Sequence, residues 1–203
     1  MKKNIIIAAS VLTLSFGGLY IADSINGSAS KSSAKSSTKI ISDHGKTDSF
    51  ESLSDLENAS PIIVRGKKIG KLQTQIRKSK VDPSLVSGWT ESEFLIKEVI
   101  KNDGSNERVK VNKKITIGEM AFEYEGAIHT VNGYQEMKNG EDYLLFLVDQ
   151  EGIFATRGVT YGKVPLNNTN LEIYSEDLTK DSHQPELAPI FNEAREKYGK
   201  NNN

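Results

Sequence analysis

The sequence predicts a mainly β protein, folded as a small, mostly antiparallel barrel or sandwich with a helix at either end. Three observations lead there. Short apolar stretches with a two-residue period recur from Pro61 to Glu176, the period at which a strand buries one face. Turn signals separate them, among them the pairs Asn132-Gly133 and Asn139-Gly140. Helical spacing of apolar residues dominates only at the two ends of this region. With 203 residues the chain holds one ordinary domain plus a tail. It has no cysteine, so the domain stands without disulfides, thiolate nucleophiles or zinc ribbons. The balance of 26 basic and 27 acidic residues offers no field for wholesale binding to nucleic acid or an anionic membrane, so any electrostatic function must come from local clusters.

The chain opens with MKKNIIIAASVLTLSFGGLYIADSINGSAS. Lys2 and Lys3 form a positive n-region and Ile5 to Phe16 an apolar h-region, the pattern of an export signal. Small residues from Gly27 to Ser30 offer a cleavage site at some distance, while bulky Tyr20 spoils a nearer one at Ala22. Read through, Ile5 to Ala22 is an 18-residue apolar segment, near the length of about 20 residues that spans a bilayer. Residues 1–30 are expected to be a cleaved signal peptide or an N-terminal membrane anchor. Either places the rest outside the cytoplasm, secreted or held at the cell membrane. Residues 31–47 follow as a Ser/Lys-rich spacer with too little apolar surface to offset its ordering entropy, expected to be disordered. As a flexible coil this spacer spans about 23 Å. The barrel domain is expected over residues 48–180, and a C-terminal helix and tail over residues 181–203.

Within the domain, DSFESLSDLENAS places Phe50, Leu53 and Leu56 at spacing three behind Ser and Asp caps, which predicts a short helix. PIIVRGKKIGKLQTQIRKSK is β-branched at its start and carries Gly66 and Gly70 at sites of bulge or bend, so it reads as a long, bent first strand. VDPSLVSG is a loop. In WTESEFLIKEVIKND, Phe94 and Ile96 alternate with polar neighbours until Val99 and Ile100 break the phase, as a bulge does. A helix over Glu91 to Lys101 competes with this strand reading, which is preferred. NKKITIGEMAFEYEG alternates through Ile115 and Ile117, then, after a slip at Gly118, through Met120, Phe122 and Tyr124. DYLLFLV is apolar on both faces, as a central strand is; DQEG reverses the chain and IFATRG returns antiparallel. TYGKVPL and NLEIYSE read as two last short strands. Leu187, Ile190, Phe191, Ala194 and Tyr198 line one face of a helix beginning near Pro185.

The order of SPIIVRGKKIG, TESEFLIKEVIKND and GYQEMKNGEDYLLFLVDQEGIFATRGVTYGKVPL resembles a group of exported Gram-positive proteins of unknown function. Their pattern is in turn similar to the OB-like barrel of the netrin-like and tissue-inhibitor-of-metalloproteinase group. The resemblance runs from about Leu53 to Leu166. Ile63, Val64 and Gly66 match its first strand, Phe94, Ile96, Val99 and Ile100 its second, and Gly140, Glu141, Tyr143, Leu144, Phe146 and Leu147 its hallmark strand, with Gly162 as the closing glycine. These positions maintain a fold. The resemblance implies an OB-like barrel and no particular activity. Metalloproteinase inhibition is not implied, because inhibitors of this fold act through an N-terminal cysteine that the chain lacks.

The residues that carry chemistry are few. His44, His129 and His183 show no HxH, HxxxH or HExxH spacing, and only His129 lies near carboxylates, Glu123 and Glu125. No G-x-S-x-G elbow or P-loop is present. Glu141 and Asp142 are adjacent and so face opposite ways on a strand. Asp149 and Glu151 share a hairpin but lack the further donors of a calcium loop. No metal, cofactor or catalytic residue is expected. One charge feature is pronounced: Arg65, Lys67, Lys68, Lys71, Arg77, Lys78 and Lys80 fall between Pro61 and Val81 with no acid among them. Lysines on an edge strand guard against aggregation; the same strip is also a candidate polyanion site. The scarcity of aromatics within it argues against nucleic acid.

The expected function is accordingly a non-enzymatic, extracytoplasmic binding module, its partner an unidentified protein or anionic envelope polymer, with membrane contact only through the N-terminal segment. The alternative is an envelope hydrolase whose carboxylates, from among Glu91, Glu93, Glu123, Glu125 and Glu141, gather from loops in a deep pocket.

Overall fold

Alternation of apolar and polar residues drives the longest pairing in the molecule. The computed structural model describes residues 38–82, 84–174 and 185–199; residues 1–30, the first part of the spacer, His183 and the chain end lie outside these. Strand β2 (Ile62–Lys78) and strand β3 (Val86–Asn102) form an antiparallel hairpin whose register slips four times, between Ile63/Val64, Arg65/Gly66, Lys68/Gly70 and Lys71/Thr74. The first slip leaves Ile100 unmatched, since Ile63 faces Lys101 while Val64 faces Val99. That is the phase break visible in the sequence, realised as a bulge. Bulges add twist and bend to a strand. The stretch from Glu91 to Lys101 is strand and not helix.

The bend lets β2 be paired on both edges. Strand β7 (Asp142–Gln150) runs antiparallel to it from Ile62↔Leu147 to Lys67↔Asp142. On the other side β3 pairs with strand β4 (Lys114–Glu119), β4 lies parallel to strand β8 (Ile153–Thr156), and β8 returns antiparallel to β7. The sheet therefore closes on itself in the order β2-β3-β4-β8-β7-β2. Strand β9 (Lys163–Pro165) extends β7 beside β8, against Tyr143 to Leu145. A second, three-stranded sheet holds strands β5 (Ala121–Tyr124) and β6 (Ala127–Val131) with strand β1 (Lys39–Asp43), the last parallel to β6.

The apolar run of β7 follows from this closure. Tyr143, Leu145 and Leu147 point into the closed sheet with Ile62, Val64, Phe94, Ile96, Ile117 and Phe154. Leu144 and Phe146 point outward, where helices α1 (Leu53–Ala59) and α2 (Leu187–Tyr198) cover them with Leu53, Leu56, Leu187, Ile190 and Phe191. Ser52 caps α1, its Oγ accepting from the Asp55 amide at 3.1 Å, and Glu57 ties the helices together by accepting from Lys197 Nζ and Tyr198 Oη, both at 2.8 Å.

Two expectations differ from the structure. Lys39–Asp43, placed by sequence in the disordered spacer, is strand β1. Its Ile40 and Ile41 are β-branched residues suited to a half-buried surface, and the free edge of β6 supplies the ladder partner that no local pattern reveals. The described part of NLEIYSE forms a single bridge, Ile173 opposite Tyr134, made by the Gln135 amide donating to the Glu172 carbonyl and the Tyr174 amide to the Gly133 carbonyl; residues 175–184 lie outside the described residues.

The two glycines of β2 separate cleanly. A Cβ on Gly66 would meet the Leu95 carbonyl oxygen at 2.1 Å and Phe94 at 2.6 Å, whereas on Gly70 it would have ordinary room, the nearest atom being 3.8 Å away. In urea unfolding, Gly66→Ala is expected to lower stability by about 1–3 kcal/mol or more, as overpacking does, while Gly70→Ala stays within about 0.5 kcal/mol. Equal effects would contradict this packing.

Candidate functional site

Of the four acidic residues around β7, Glu141, Asp142 and Asp149 are paired. Asp149 accepts from Asn106 Nδ2 at 2.7 Å and from Arg108, whose Nη1 also donates to the Gly152 carbonyl at 2.9 Å and whose guanidinium lies 4.6 Å from the Phe154 ring. The arginine hydrogen bond, helped by Asn106, holds the Asp149 carboxyl below its usual range. Asp142 meets Lys97 at 2.7 Å and Glu141 accepts from Asn167 at 2.5 Å. Glu151 is a turn residue at φ 47°, next to Gly152 at φ 127°. Asp149 thus fastens the loop of Asn106 and Arg108 to the barrel.

His129 is not brought to the carboxylates near it in sequence. It lies opposite Phe122 across β5 and β6, stacked at 5.1 Å, whereas Glu123 lies opposite Ile128 and hence on the other face. Glu125 occupies the intervening turn at φ 49°. Among the described residues no three His, Asp or Glu side chains converge as a metal site would require. A cleft of about 330 Å³ is lined by Lys71, Phe122, Glu123, Ile128, Glu136 and Tyr174. Of the five carboxylates proposed for a hydrolase, Glu123 alone belongs to it. Glu91 accepts from Gln73 and Gln75, and Glu93 from Lys114.

The basic strip divides in two. Lys68, expected on a cationic surface, is only 2% exposed. It occupies the inward phase that begins with Ile62 and Val64 and continues through Gly66. Opposite it stands Glu119, 0% exposed, which likewise continues the inward stripe of Ile115 and Ile117. Glu119 Oε1 accepts from Lys68 Nζ at 2.7 Å and from Ser92; its Oε2 accepts from Tyr134 Oη at 3.1 Å and from the Met137 amide at 2.5 Å. Lys68 also donates to the Met137 carbonyl at 2.7 Å. A second buried pair adjoins it. Lys163 Nζ lies 3.4 Å from Glu172 Oε2 and 4.2 Å from the Tyr134 ring centroid, and donates to the Gln135 carbonyl. Tyr143 donates to Glu172 at 3.2 Å and accepts from the Lys138 amide at 2.7 Å. Together the two pairs seat the segment from Tyr134 to Lys138 against the barrel. Burial, then the Glu119 charge, raises the Tyr134 hydroxyl well above its ordinary value; burial lowers Lys163 to about 8. Lys68 is thus a structural residue and no part of a ligand-facing strip. Sequence reasoning missed the network, although both inward stripes ending in an ion were there to be counted.

The remaining cations split between barrel and arm. Arg65 pairs with Glu98 at 3.0 Å and Lys67 is half-buried. Beyond the last slip, from Thr74↔Thr90 to Lys78↔Val86, β2 has β3 as its only ladder partner and the hairpin continues as an arm. Lys71, exposed at its base, meets Glu136 at 3.0 Å. The Arg77 guanidinium lies 4.9 Å from the Trp89 ring and Lys78 Nζ 5.5 Å from the Tyr124 ring, while Lys80 is exposed. Hydrogen bonding to Tyr124 holds the Lys78 ammonium above its ordinary range. The aromatics missing from the strip itself arrive from β3 and β5. Compared with known proteins, the chain matches no family model and no curated protein.

Removing one member of the buried pair leaves the other charge unpaired, which costs about 3–5 kcal/mol, whereas replacing both with apolar residues costs far less. In denaturant unfolding, Lys68→Met is expected to lose stability on that scale and Lys68→Met with Glu119→Leu to recover a large part of it. Comparable losses in both would rule out this pairing. For Lys163, burial holds the folded value near 8 against an unfolded value of about 10.4. Between the two the unfolded chain binds more protons, so stability rises with pH. Relative to Lys163→Met, the unsubstituted protein is expected to gain about 1–2 kcal/mol from pH 8 to a pH of about 9.5; parallel stability curves would show that Lys163 keeps its proton.

Proposed function

We propose that the chain is a non-enzymatic binding module working outside the cytoplasm, secreted from or tethered at a Gram-positive cell surface, and that the β2–β3 arm meets an anionic partner. The export pattern of the N-terminal segment supports the location. The observation that carries the binding reading is the arm, in which β2 has β3 as its one ladder partner and whose exposed Arg77, Lys78 and Lys80 take no part in the barrel's buried ion pairs. Strand order supports the OB-like resemblance: a five-stranded sheet closed β2-β3-β4-β8-β7-β2, antiparallel except between β4 and β8. OB-like barrels recur as binding platforms for oligonucleotides and oligosaccharides.

The partner is an anionic envelope polymer or a protein with an acidic face. Cations within 6 Å of both arm-facing aromatic rings disfavour base stacking of the kind single-stranded nucleic acid requires. Bonds already made by Glu91, Glu93 and Glu141 count against the hydrolase alternative.

Retention on immobilised heparin, used as a model polyanion, is expected to fall steeply with salt, since the exposed charges are screened within about 10 Å at 0.1 M. The combined change Arg77→Glu, Lys78→Glu and Lys80→Glu is expected to weaken binding about ten-fold or more, with thermal unfolding unchanged. Salt-insensitive retention, or retention equal in the variant, would remove the anionic partner.

A further inference from the structure

The arm carries an apolar load as well as a charge. Among the described residues five large apolar side chains stand exposed, and four of them, Leu72, Ile76, Val81 and Leu85, lie on the arm; Val111 is the fifth. The tip holds the extreme cases, Val81 at 96% and Leu85 at 61% exposure. Between and beside them are Arg77, Lys78 and Lys80, with Lys71 paired to Glu136 at the base; the hairpin's own acids here are Glu91, which accepts from Gln73 and Gln75, and Asp82. Asp82 is turned back into its own loop, accepting from the Ser84 amide at 2.9 Å and the Ser84 hydroxyl at 2.6 Å.

A hydrophilic polymer satisfies the cations and leaves Val81 and Leu85 in water. A protein partner fits poorly too, because interface cores are depleted in lysine and gather their apolar residues together, whereas here cations interleave with them. An anionic bilayer satisfies both sets at once, with apolar side chains in the headgroup and acyl boundary and basic ones at the phosphates. We infer that the β2–β3 arm is a membrane-docking finger, inserting Val81 and Leu85 into the interface of an anionic bilayer while Arg77, Lys78 and Lys80 engage lipid phosphates. This rests on the reading that the arm binds an anion, and it replaces the envelope polymer or acidic protein named there with lipid phosphates. It adds a second membrane contact to the one expected of the N-terminal segment, and it turns the barrel's arm toward the outer face of the membrane.

The test reads position 81 directly, so that insertion by the N-terminal segment does not obscure it. Trp89 is the single tryptophan, which makes Val81→Trp in a Trp89→Phe background a one-reporter protein. Val81 is so exposed that its replacement leaves the fold undisturbed. The full chain is reconstituted in vesicles of phosphatidylcholine alone or mixed with phosphatidylglycerol. In the anionic vesicles the reporter's emission is expected to shift to the blue and to be quenched by lipids brominated on their tails; in phosphatidylcholine it stays water-exposed. Each neutralising change, Arg77→Gln, Lys78→Gln or Lys80→Gln, is expected to lower the docked fraction about five-fold, and the uncharged change Leu85→Ser to lower it while heparin retention is kept. A reporter that remains water-exposed in anionic vesicles, with heparin retention intact, overturns membrane docking and leaves the anion-binding reading standing. Loss of both overturns the two together.

Discussion

Everything in this molecule depends on β2 being paired on two edges for part of its length and on one edge for the rest. From Ile62 to Lys67 it is hydrogen bonded to both β3 and β7, and this double pairing closes the sheet. Past the slip at Lys71 the second partner is gone and the strand runs on in the arm. A closed sheet has no edges to protect, so the barrel part carries buried apolar stripes. The arm has unpaired edges, and cations accompany them. One strand thus belongs to two environments, and its six basic residues take different roles according to which side of that boundary they fall.

The buried ions follow from the same closure. Lys68 and Glu119 lie where two inward stripes run out of apolar residues at one end of the barrel, and a charge there is tolerable only if fully bonded. Glu119 achieves this with four donors shared between its two oxygens. Such a pair adds little net stability over an apolar equivalent, and its worth lies in orienting what it touches. Two of its bonds go to the backbone of Met137, and with Lys163 bonded to the Gln135 carbonyl the segment from Tyr134 to Lys138 has one defined seat. The neighbouring Lys163 and Glu172 pair is less well satisfied. Glu172 sits at a positive φ of 53° and its Oε2 lacks a hydrogen bond, having only the 3.4 Å ion pair, which is consistent with the lowered proton affinity of Lys163.

Much of the fold was legible beforehand, for reasons that can be named. The bulge at Ile100 showed as a phase break, the β7 run as a strand apolar on both faces, and the β7–β8 turn as Glu151-Gly152. All of these are local patterns, with periods of two residues or fixed turn chemistry. Strand β1 was not legible, because KIISD is short and follows a polar spacer, and its ladder partner lies some ninety residues further on at β6. The candidate site was legible only in outline. Counting charges from Arg65 to Lys80 found the strip, yet burial removed Lys68 from it, Glu98 took up Arg65, and Trp89 and Tyr124 were brought to Arg77 and Lys78 from strands that the count did not include.

The sequence by itself determined the class of fold, the order of most of its strands and of its two helices, the absence of disulfide or thiol chemistry, and a stretch of concentrated positive charge. Periodicity and residue type suffice for these, because they act over a few neighbouring positions. Tertiary structure decided which edge of each strand finds which partner, and with that the closure of the sheet. It also decided which cations are buried and paired and which stand on the arm. Those outcomes depend on pairings between residues tens of positions apart, and the free energy of a charge is set by what surrounds it after folding, which no local pattern contains.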